Sequence, residues 1–536
     1  MMINELQITN IHGATFSSAS CNVDDIYRRT GNKNIYELVI DNLMLVKYSD
    51  DEELINYIKS LPLSKKRLAI LSLMDDDQYS WDKLREKITG NKVSKIDHLK
   101  DLVKMFREFI KVAEVERKTH GEIMTPMDEL ARPMVDLVEK YDEDFWKNPN
   151  HKVLDSSAGI GTFLIICAAK FMNGLKDVEG FEDPEVRFKH IVEKCLYYGE
   201  LQSRNAFLWL CAIDPYDEYK TNTYFGSFLD GTSLSKDFDT HMKDVWKVDK
   251  FDLIIQNPPY QVLKETDKNK NSKNPKTQPI WQLFVKNCIS ILREDKYMVM
   301  VHPGGWRDLD GPFKEVQNLL KERQMLYLNT HTFKDGLNLF KAKTNYDYYL
   351  LKNSKNNNTI TSVICEDNSE EEINIKDLEL IPGENISFIY NLIAKDGEDK
   401  VNILSNSLYH TQSGEKSGLL SKNKTDTHKY PCVYMVSYKN EPTFWYSNTN
   451  KGHFGSAKVI WANGSSGVIT DKEGKYGLTQ FSRAIIDDVE NLEYIEKALK
   501  NQDFIDKVML YKHGLGHKYN NKIISMLRKD FWKEFI

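Results

Sequence analysis

Cysteine is scarce in this chain of 536 residues. There are seven, at 21, 167, 195, 211, 288, 365 and 432, and no C-x-x-C pair, which argues against a zinc site or a disulfide framework. Proline is scarce too, at 15, so a Pro-Pro step marks a local requirement rather than a compositional habit. No apolar run is long enough to span a bilayer. The opening MMINELQITNIHG lacks the basic start and apolar core of a signal peptide, so the expected location is cytoplasmic: a bacterial or phage-infected cell, or a host compartment for a viral protein. Basic excess is also missing. The net charge of −6 is unfavourable for a nucleic-acid binder as an average, although phosphate contacts need only a local positive patch. No internal repeat is visible.

What remains has the profile of an ordinary soluble protein, with 41% hydrophobic and 28% charged residues. A chain of this length builds two or three domains with proper cores. The most informative stretch is Phe251–Tyr260, FDLIIQNPPY. A buried strand runs into Asn257-Pro258-Pro259-Tyr260, where two prolines stiffen the backbone around an amide and an aromatic ring. Such a loop at the carboxyl edge of a parallel sheet reads as an active site. Asn257 presents an acceptor and a donor in a fixed direction, and Tyr260 a flat face for stacking.

About one hundred residues upstream, Val153–Leu164 (VLDSSAGIGTFL) predicts strand, tight glycine turn and helix. Asp155 at the strand end is placed to accept a hydrogen bond from an amine, and Gly159 and Gly161 let the turn approach a ligand closely. It is neither a dinucleotide G-x-G-x-x-G nor a P-loop. A second strand, Cys195–Tyr198, leads to Gly199-Glu200, and an acid there suits the two hydroxyls of a ribose. After a third strand around Thr223–Phe225 come Ser227 and Phe228. Before all of these, HGEIMTP places Thr125 as a helix cap and Pro126 in its first turn.

N-P-P-Y after an apolar strand closely resembles motif IV of the amino-methylating DNA methyltransferases, which act on adenine N6 or cytosine N4. VLDSSAGIGTF resembles their cofactor motif I, with Ser156 and Ser157-Ala158 where the family commonly has Pro and Ala/Ser-Cys. G-E-x-x-T-P resembles motif X. The order G-E-x-x-T-P, D-x-x-x-G-x-G, N-P-P-Y is similar to that of the gamma-type N6-adenine enzymes. The resemblance implies an α/β class with a Rossmann-like methyltransferase domain and a mostly parallel seven-stranded sheet. It implies S-adenosylmethionine as cofactor, held by Thr125, Pro126, Asp155, Ser156, Ala158, Gly159, Gly161, Glu200, Ser227, Phe228 and Asn257. The related enzymes often carry an acid where Ser227 stands.

Catalysis would fall to Asn257, Pro258, Pro259 and Tyr260. Asn257 Oδ1 and the Pro258 carbonyl accept the amine hydrogens, with no metal and no general base. The single Pro-Cys pair, at Cys432, lies far from this region, unlike the motif of carbon-5 cytosine enzymes. Tyr260 and Phe340, the latter in a loop over Gly336–Tyr346, would sandwich a flipped base. Cytosine N4 methylation, RNA or protein-glutamine methylation, and a DNA-binding subunit needing a partner remain open readings.

Three regions are expected. Residues 1–115 form a helical amino-terminal region, residues 116–353 the methyltransferase domain, and residues 354–536 a mixed α+β target recognition and carboxyl-terminal region. Double-stranded DNA is the expected partner, of a chain acting as a monomer, with a separate restriction endonuclease or specificity subunit also possible in such systems. The polar run KETDKNKNSKNPKTQP, with Lys264, Lys268, Lys270, Lys273 and Lys276, follows the N-P-P-Y loop and is well situated to clasp a DNA backbone. Lys341 and Lys343 are further candidates. The strand-and-turn segments beyond 354, such as KVIWANGSSG and the stretch through Arg483, hold the Asn, Gln, Arg and Ser that read base edges.

Overall fold

The computed structural model describes, apart from residue 60, residues 125–201, 203–214, 218–263, 277–308, 311–404, 408–462, 467–509 and 519–536. The expected amino-terminal helical region, the motif X residues before Thr125, and the lysines at 264, 268, 270, 273 and 276 lie outside the described residues.

The chain first builds a sheet from the middle outward. β1 (Val153–Asp155), β2 (Leu196–Glu200) and β3 (Asn222–Phe225) are laid side by side in parallel. The next strand, β4 (Phe251–Gln256), returns to the far side of β1, also parallel, and β5 (Leu292–Pro303) continues beside it. β6 (Arg323–His331) takes the outer place, and β7 (Tyr346–Lys355) inserts antiparallel between β5 and β6. The order is β3-β2-β1-β4-β5-β7-β6, and Thr361–Ile364 and then Glu370–Ile373 extend it beyond β6 to nine strands, two more than the seven expected. This is the mostly parallel, Rossmann-like sheet expected from the sequence. Strand order reverses between β1 and β4, and ligands of open α/β sheets bind at the carboxyl ends flanking such a reversal.

β1, β2 and β4 are buried along their whole length. That matches their near-continuous apolar sequences, because a parallel sheet is covered on both faces. The covering helices include α1 (Arg132–Tyr141), α2 (Thr162–Gly174), α3 (Ser203–Ile213), α4 (Trp281–Ile291) and α5 (Lys314–Lys321). α1 buries Met134, Val135, Leu137 and Val138 at three- and four-residue spacing and carries Pro133 in its first turn, where a missing N–H is tolerated. At the amino end of β4, the carboxylate of Asp252 is fully buried. It accepts the Lys152 backbone N–H at 2.9 Å and pairs with Arg293, so the acid preceding the apolar run clamps the strand rather than joining the chemistry.

α6 (Phe333–Phe340) corrects one expectation, since Phe340 was placed in a loop. Thr332 and Asp335 form a reciprocal capping box, with Thr332 N–H donating to Asp335 Oδ2 at 2.8 Å and Asp335 N–H to Thr332 Oγ1 at 3.2 Å. Lys341 ends the helix in the left-handed region at φ 53°. Gly336 lies so close to the strand side that a Cβ there would sit 1.7 Å from the Thr344 carbonyl oxygen.

Two compact units result. One ends at Trp306 and resumes over Pro312–Val363 and Asn374–Lys376; the other comprises Arg307–Gly311, Ile364–Ile373 and Asp377–Ile536. The second unit holds two four-stranded sheets. The first is β9 (Asn402–Leu404), β16 (Ser482–Ile486), β13 (Lys458–Ala462) and β14 (Val468–Asp471) in that order; the other is β10 (Leu420–Ser421), β12 (Pro442–Ser447), β11 (Tyr430–Val436) and β15 (Gly477–Leu478), where β8 denotes Thr361–Ile364. Trp461, Ile485, Leu492, Ile495, Leu499 and Phe504 are part of its main core. Lys458 is fully buried there on Asp471 at 2.7 Å, a pair whose separation would strand a charge in apolar surroundings. Among the described residues no helix is long and apolar enough to cross a membrane.

Because β4 carries the central layer, Ile254→Ala should lower unfolding free energy by about 2–5 kcal/mol in urea titrations. A loss below about 1 kcal/mol would contradict the full burial of this position.

Candidate active site at the carboxyl edge of the sheet

The glycine turn after β1 has the geometry its sequence requires. Gly159 and Gly161 take φ of 53° and 88°, and Gly161 begins α2. A Cβ on Gly161 would lie 2.2 Å from the Trp209 ring, whereas nothing comes within 4 Å of one on Gly159. The turn is held from β2. Ala158 N–H donates to the Gly199 carbonyl at 3.0 Å, Gly159 N–H to Glu200 Oε2 at 2.7 Å, and the Tyr198 hydroxyl to the Gly159 carbonyl. Tyr198 in turn stacks on Trp209, with ring planes 3° apart.

Asp155 and Glu200 thus stand on neighbouring strand ends, both buried. Asp155 accepts the Ser157 N–H at 3.1 Å. Burial raises its pKa well above the usual carboxylate range; the Ser157 hydrogen bond opposes that rise and the nearby Glu200 adds to it. A carboxyl pushed up in this way is returned to its ionised form by a cationic partner, so the two acceptors suit a ligand bearing an ammonium group and hydroxyls.

β4 delivers Asn257 on the other side of β1. Its Nδ2 donates to Thr125 Oγ1 at 3.2 Å. Thr125 is not the helix cap expected from the sequence, because Pro126 takes that position ahead of the helical turn Met127–Ala131 that runs into α1, and no side chain caps it. With its NH2 arm on Thr125, the amide directs its other arm, Oδ1, away from that residue. Asn257 and Pro258 are buried and Pro259 half-buried. Tyr260 is 5% exposed, and its hydroxyl is buried with no hydrogen-bond partner among the described residues. Burial raises its pKa, with Tyr346 and Asp347 adding to the rise, so the phenol stays neutral. Beyond it, the Ile280 N–H donates to the Tyr260 carbonyl at 3.1 Å, and Gln261–Leu263 pairs antiparallel with Thr277–Pro279.

The expected aromatic sandwich is not formed. Tyr260 and Phe340 meet edge to face, with centroids 6.3 Å apart and planes at 84°, so no parallel slot lies between them. Phe340 is 1% exposed and also packs on Tyr346, as the last turn of α6 demands. Phe228 is likewise a core residue, stacked on Phe284 at 5.2 Å and edge-on to Phe238. Ser227 turns its hydroxyl onto its own loop, donating to the Leu229 carbonyl at 2.6 Å. Lys341 and Lys343 are exposed, and Lys341 Nζ donates to the Asn338 carbonyl at 3.0 Å.

Sequence reasoning missed the cluster behind the loop. His302, at the end of β5, is fully buried and stacked on Trp281 at 4.1 Å. Its Nδ1 lies 3.1 Å from the Pro303 carbonyl and its Nε2 3.2 Å from the Tyr349 hydroxyl. Trp306 Nε1 donates to the buried Asp347 at 2.8 Å. Only the histidine at the end of an apolar strand hinted at this floor.

Residues 215–340 match the family of Eco57I restriction-modification methylases. An uncharacterized adenine-specific methylase of Mycoplasma pneumoniae is 24% identical over 293 residues, covering 44% of this chain and 67% of that protein. A modification subunit of a putative type I restriction enzyme from Vibrio vulnificus superposes with a TM-score of 0.37 at 16% identity, over 53% of this chain and 55% of that one; the chain thus spans little more than half that subunit. The type IIL restriction-modification enzyme MmeI, in complex with DNA, superposes with a TM-score of 0.44 at 11% identity, over 95% and 87% of the two chains.

Two outcomes follow from the site's construction. Gly159→Ala should cost roughly 1–2 kcal/mol, the left-handed penalty alone, and Gly161→Ala about 2–5 kcal/mol, because overlap with Trp209 adds to it. Equal losses in denaturant titration would contradict the geometry. His302 concerns pH. Burial lowers its pKa from 6.5 to about 3, so between those values the unfolded chain binds more protons and stability falls as pH falls. His302→Phe should flatten that fall by about 1.4 kcal/mol per pH unit below the unfolded pKa. Parallel stability–pH curves for the two proteins would show that the imidazole is not held neutral.

Proposed function

We propose that this methylase of restriction-modification type transfers the methyl group of S-adenosylmethionine to the N6 amine of an adenine flipped out of duplex DNA. The observation that carries the reading is Asn257. Its amide is oriented by Thr125 at the point where strand order reverses, across β1 from the glycine turn and its two buried carboxyls. The family match over residues 215–340 and the adenine-specific methylase relative support the same chemistry.

The residues present fit the cofactor. Asp155 suits its ammonium group and Glu200 its ribose hydroxyls, while Gly159 leaves the turn open on the side where a Cβ would project. Ser156, Ala158, Gly161, Thr125 and Pro126 border the same turn and loop. When bound, S-adenosylmethionine supplies an electrophilic methyl group on a sulfonium.

The protein's own task is to present the amine. Asn257 Oδ1 accepts one N–H and the Pro258 carbonyl the other, which turns the nitrogen lone pair out of conjugation with the ring. The prolines hold both acceptors still, so little reorganisation remains at the moment of transfer. The methylated nitrogen carries a proton too many and releases it readily, so no general base is required beforehand. Tyr260 offers the base one face and a buried hydroxyl. A second face must come from a rearrangement of Phe340 or from elsewhere, given the perpendicular rings. Lys341 and Lys343 are proposed to meet the DNA backbone, as are the lysines of the 264–276 segment.

Asn257→Ala should reduce methyl incorporation into duplex DNA by about a hundredfold or more, with cofactor affinity by calorimetry within a few-fold of wild type. Undiminished incorporation would remove Asn257 from the chemistry. Thr125→Val should cost about tenfold, about 1.4 kcal/mol of barrier, because the amide loses the bond that orients it. A Thr125→Val enzyme as fast as wild type would show that the amide is oriented by other means.

A further inference from the structure

We infer that Gln256 is a positioning residue that couples the cofactor-side turn to the catalytic loop. β1 and β4 are in parallel register, Val153 opposite Leu253 and Leu154 opposite Ile254. Continuing that register brings the turn's first serine beside the last residue of β4, and there a glutamine is buried completely. Its Oε1 accepts hydrogen bonds from Ser156 Oγ at 2.7 Å and Ser157 Oγ at 3.3 Å. Its Nε2 donates to Cys288 Sγ, on α4, at 2.8 Å.

One side chain therefore ties together the turn that follows Asp155, the strand that leads into Asn257, and the helix packed behind both. A buried amide is costly unless satisfied, and this one uses both lone pairs of its oxygen on the two serines. A proline at 156 has no side-chain donor to offer. Because Asn257 is covalently next to Gln256, any shift of the turn when it closes on a ligand is passed to the loop through this node.

The inference rests on the proposed cofactor site, and its test uses a readout separate from catalysis. Hydrogen exchange of the Tyr260 and Gln261 backbone amides is followed in the full chain with and without S-adenosylmethionine. In the wild type the cofactor should slow exchange of these amides severalfold. In Gln256→Leu the slowing should be lost, although calorimetry still shows cofactor bound within a few-fold of wild-type affinity, and methyl transfer should fall about tenfold or more. Ser156→Ala removes a donor and leaves the glutamine's packing intact; it should reproduce the loss and serves alone if Gln256→Leu does not fold. Combining the two substitutions should do no more than either. Cofactor protection as large in either folded variant as in wild type overturns the inference, as does its absence from wild type. A wild type that shows the protection yet never methylates DNA would instead overturn the proposed reaction while leaving the coupling in place.

Discussion

The site depends on how β1 and β4 lie against each other. Strand order reverses there, so the helices that follow the two strands leave on opposite sides and a crevice opens at the carboxyl ends. Their parallel register then settles which residues face across it. Asp155 and the glycine turn end one strand and Asn257 the other, with Ser156 bonded to Gln256 between them. A slip of one residue would turn every side chain of β4 to the opposite face and break that pairing. The clamp at the opposite end, Asp252 on the Lys152 N–H and Arg293, holds the register from below.

Around this seam the electrostatics are set by exclusion of water. Asp155 is desolvated beside Glu200, which favours a ligand bringing positive charge and hydroxyl donors. On the Asn257 side two ring groups stay uncharged: a phenol kept protonated at Tyr260 and an imidazole kept unprotonated at His302. Charge is thus offered where a cationic ligand would sit, and aligned dipoles where an amine would be presented.

Much of this was legible in the sequence because it is local. The prolines after Asn257, the glycines at 159 and 161 and the acid ending β2 act through backbone conformation within a few residues, and patterns of that kind survive as motifs. The mostly parallel sheet was expected from the resemblance that those motifs carry. What escaped was decided at long range. Phe340 looked like a loop aromatic until Thr332 and Asp335 capped a helix ahead of it, and its burial on Tyr346 follows from that helix. Phe228 belongs to a cluster with Phe238 and Phe284 from two other elements. Gln256 read as one more residue of a strand, since Ser156 is one hundred positions away; Trp281 and His302 meet only because α4 packs beside β5.

The central claim is the identity of the acceptor atom. The direct measurement is transfer of labelled methyl from S-adenosylmethionine to mixed-sequence duplex DNA, followed by digestion to nucleosides. The account predicts that the label appears in N6-methyladenine. Label in N4-methylcytosine, in RNA or protein and not in DNA, or in no polymer while the cofactor binds normally, would contradict it.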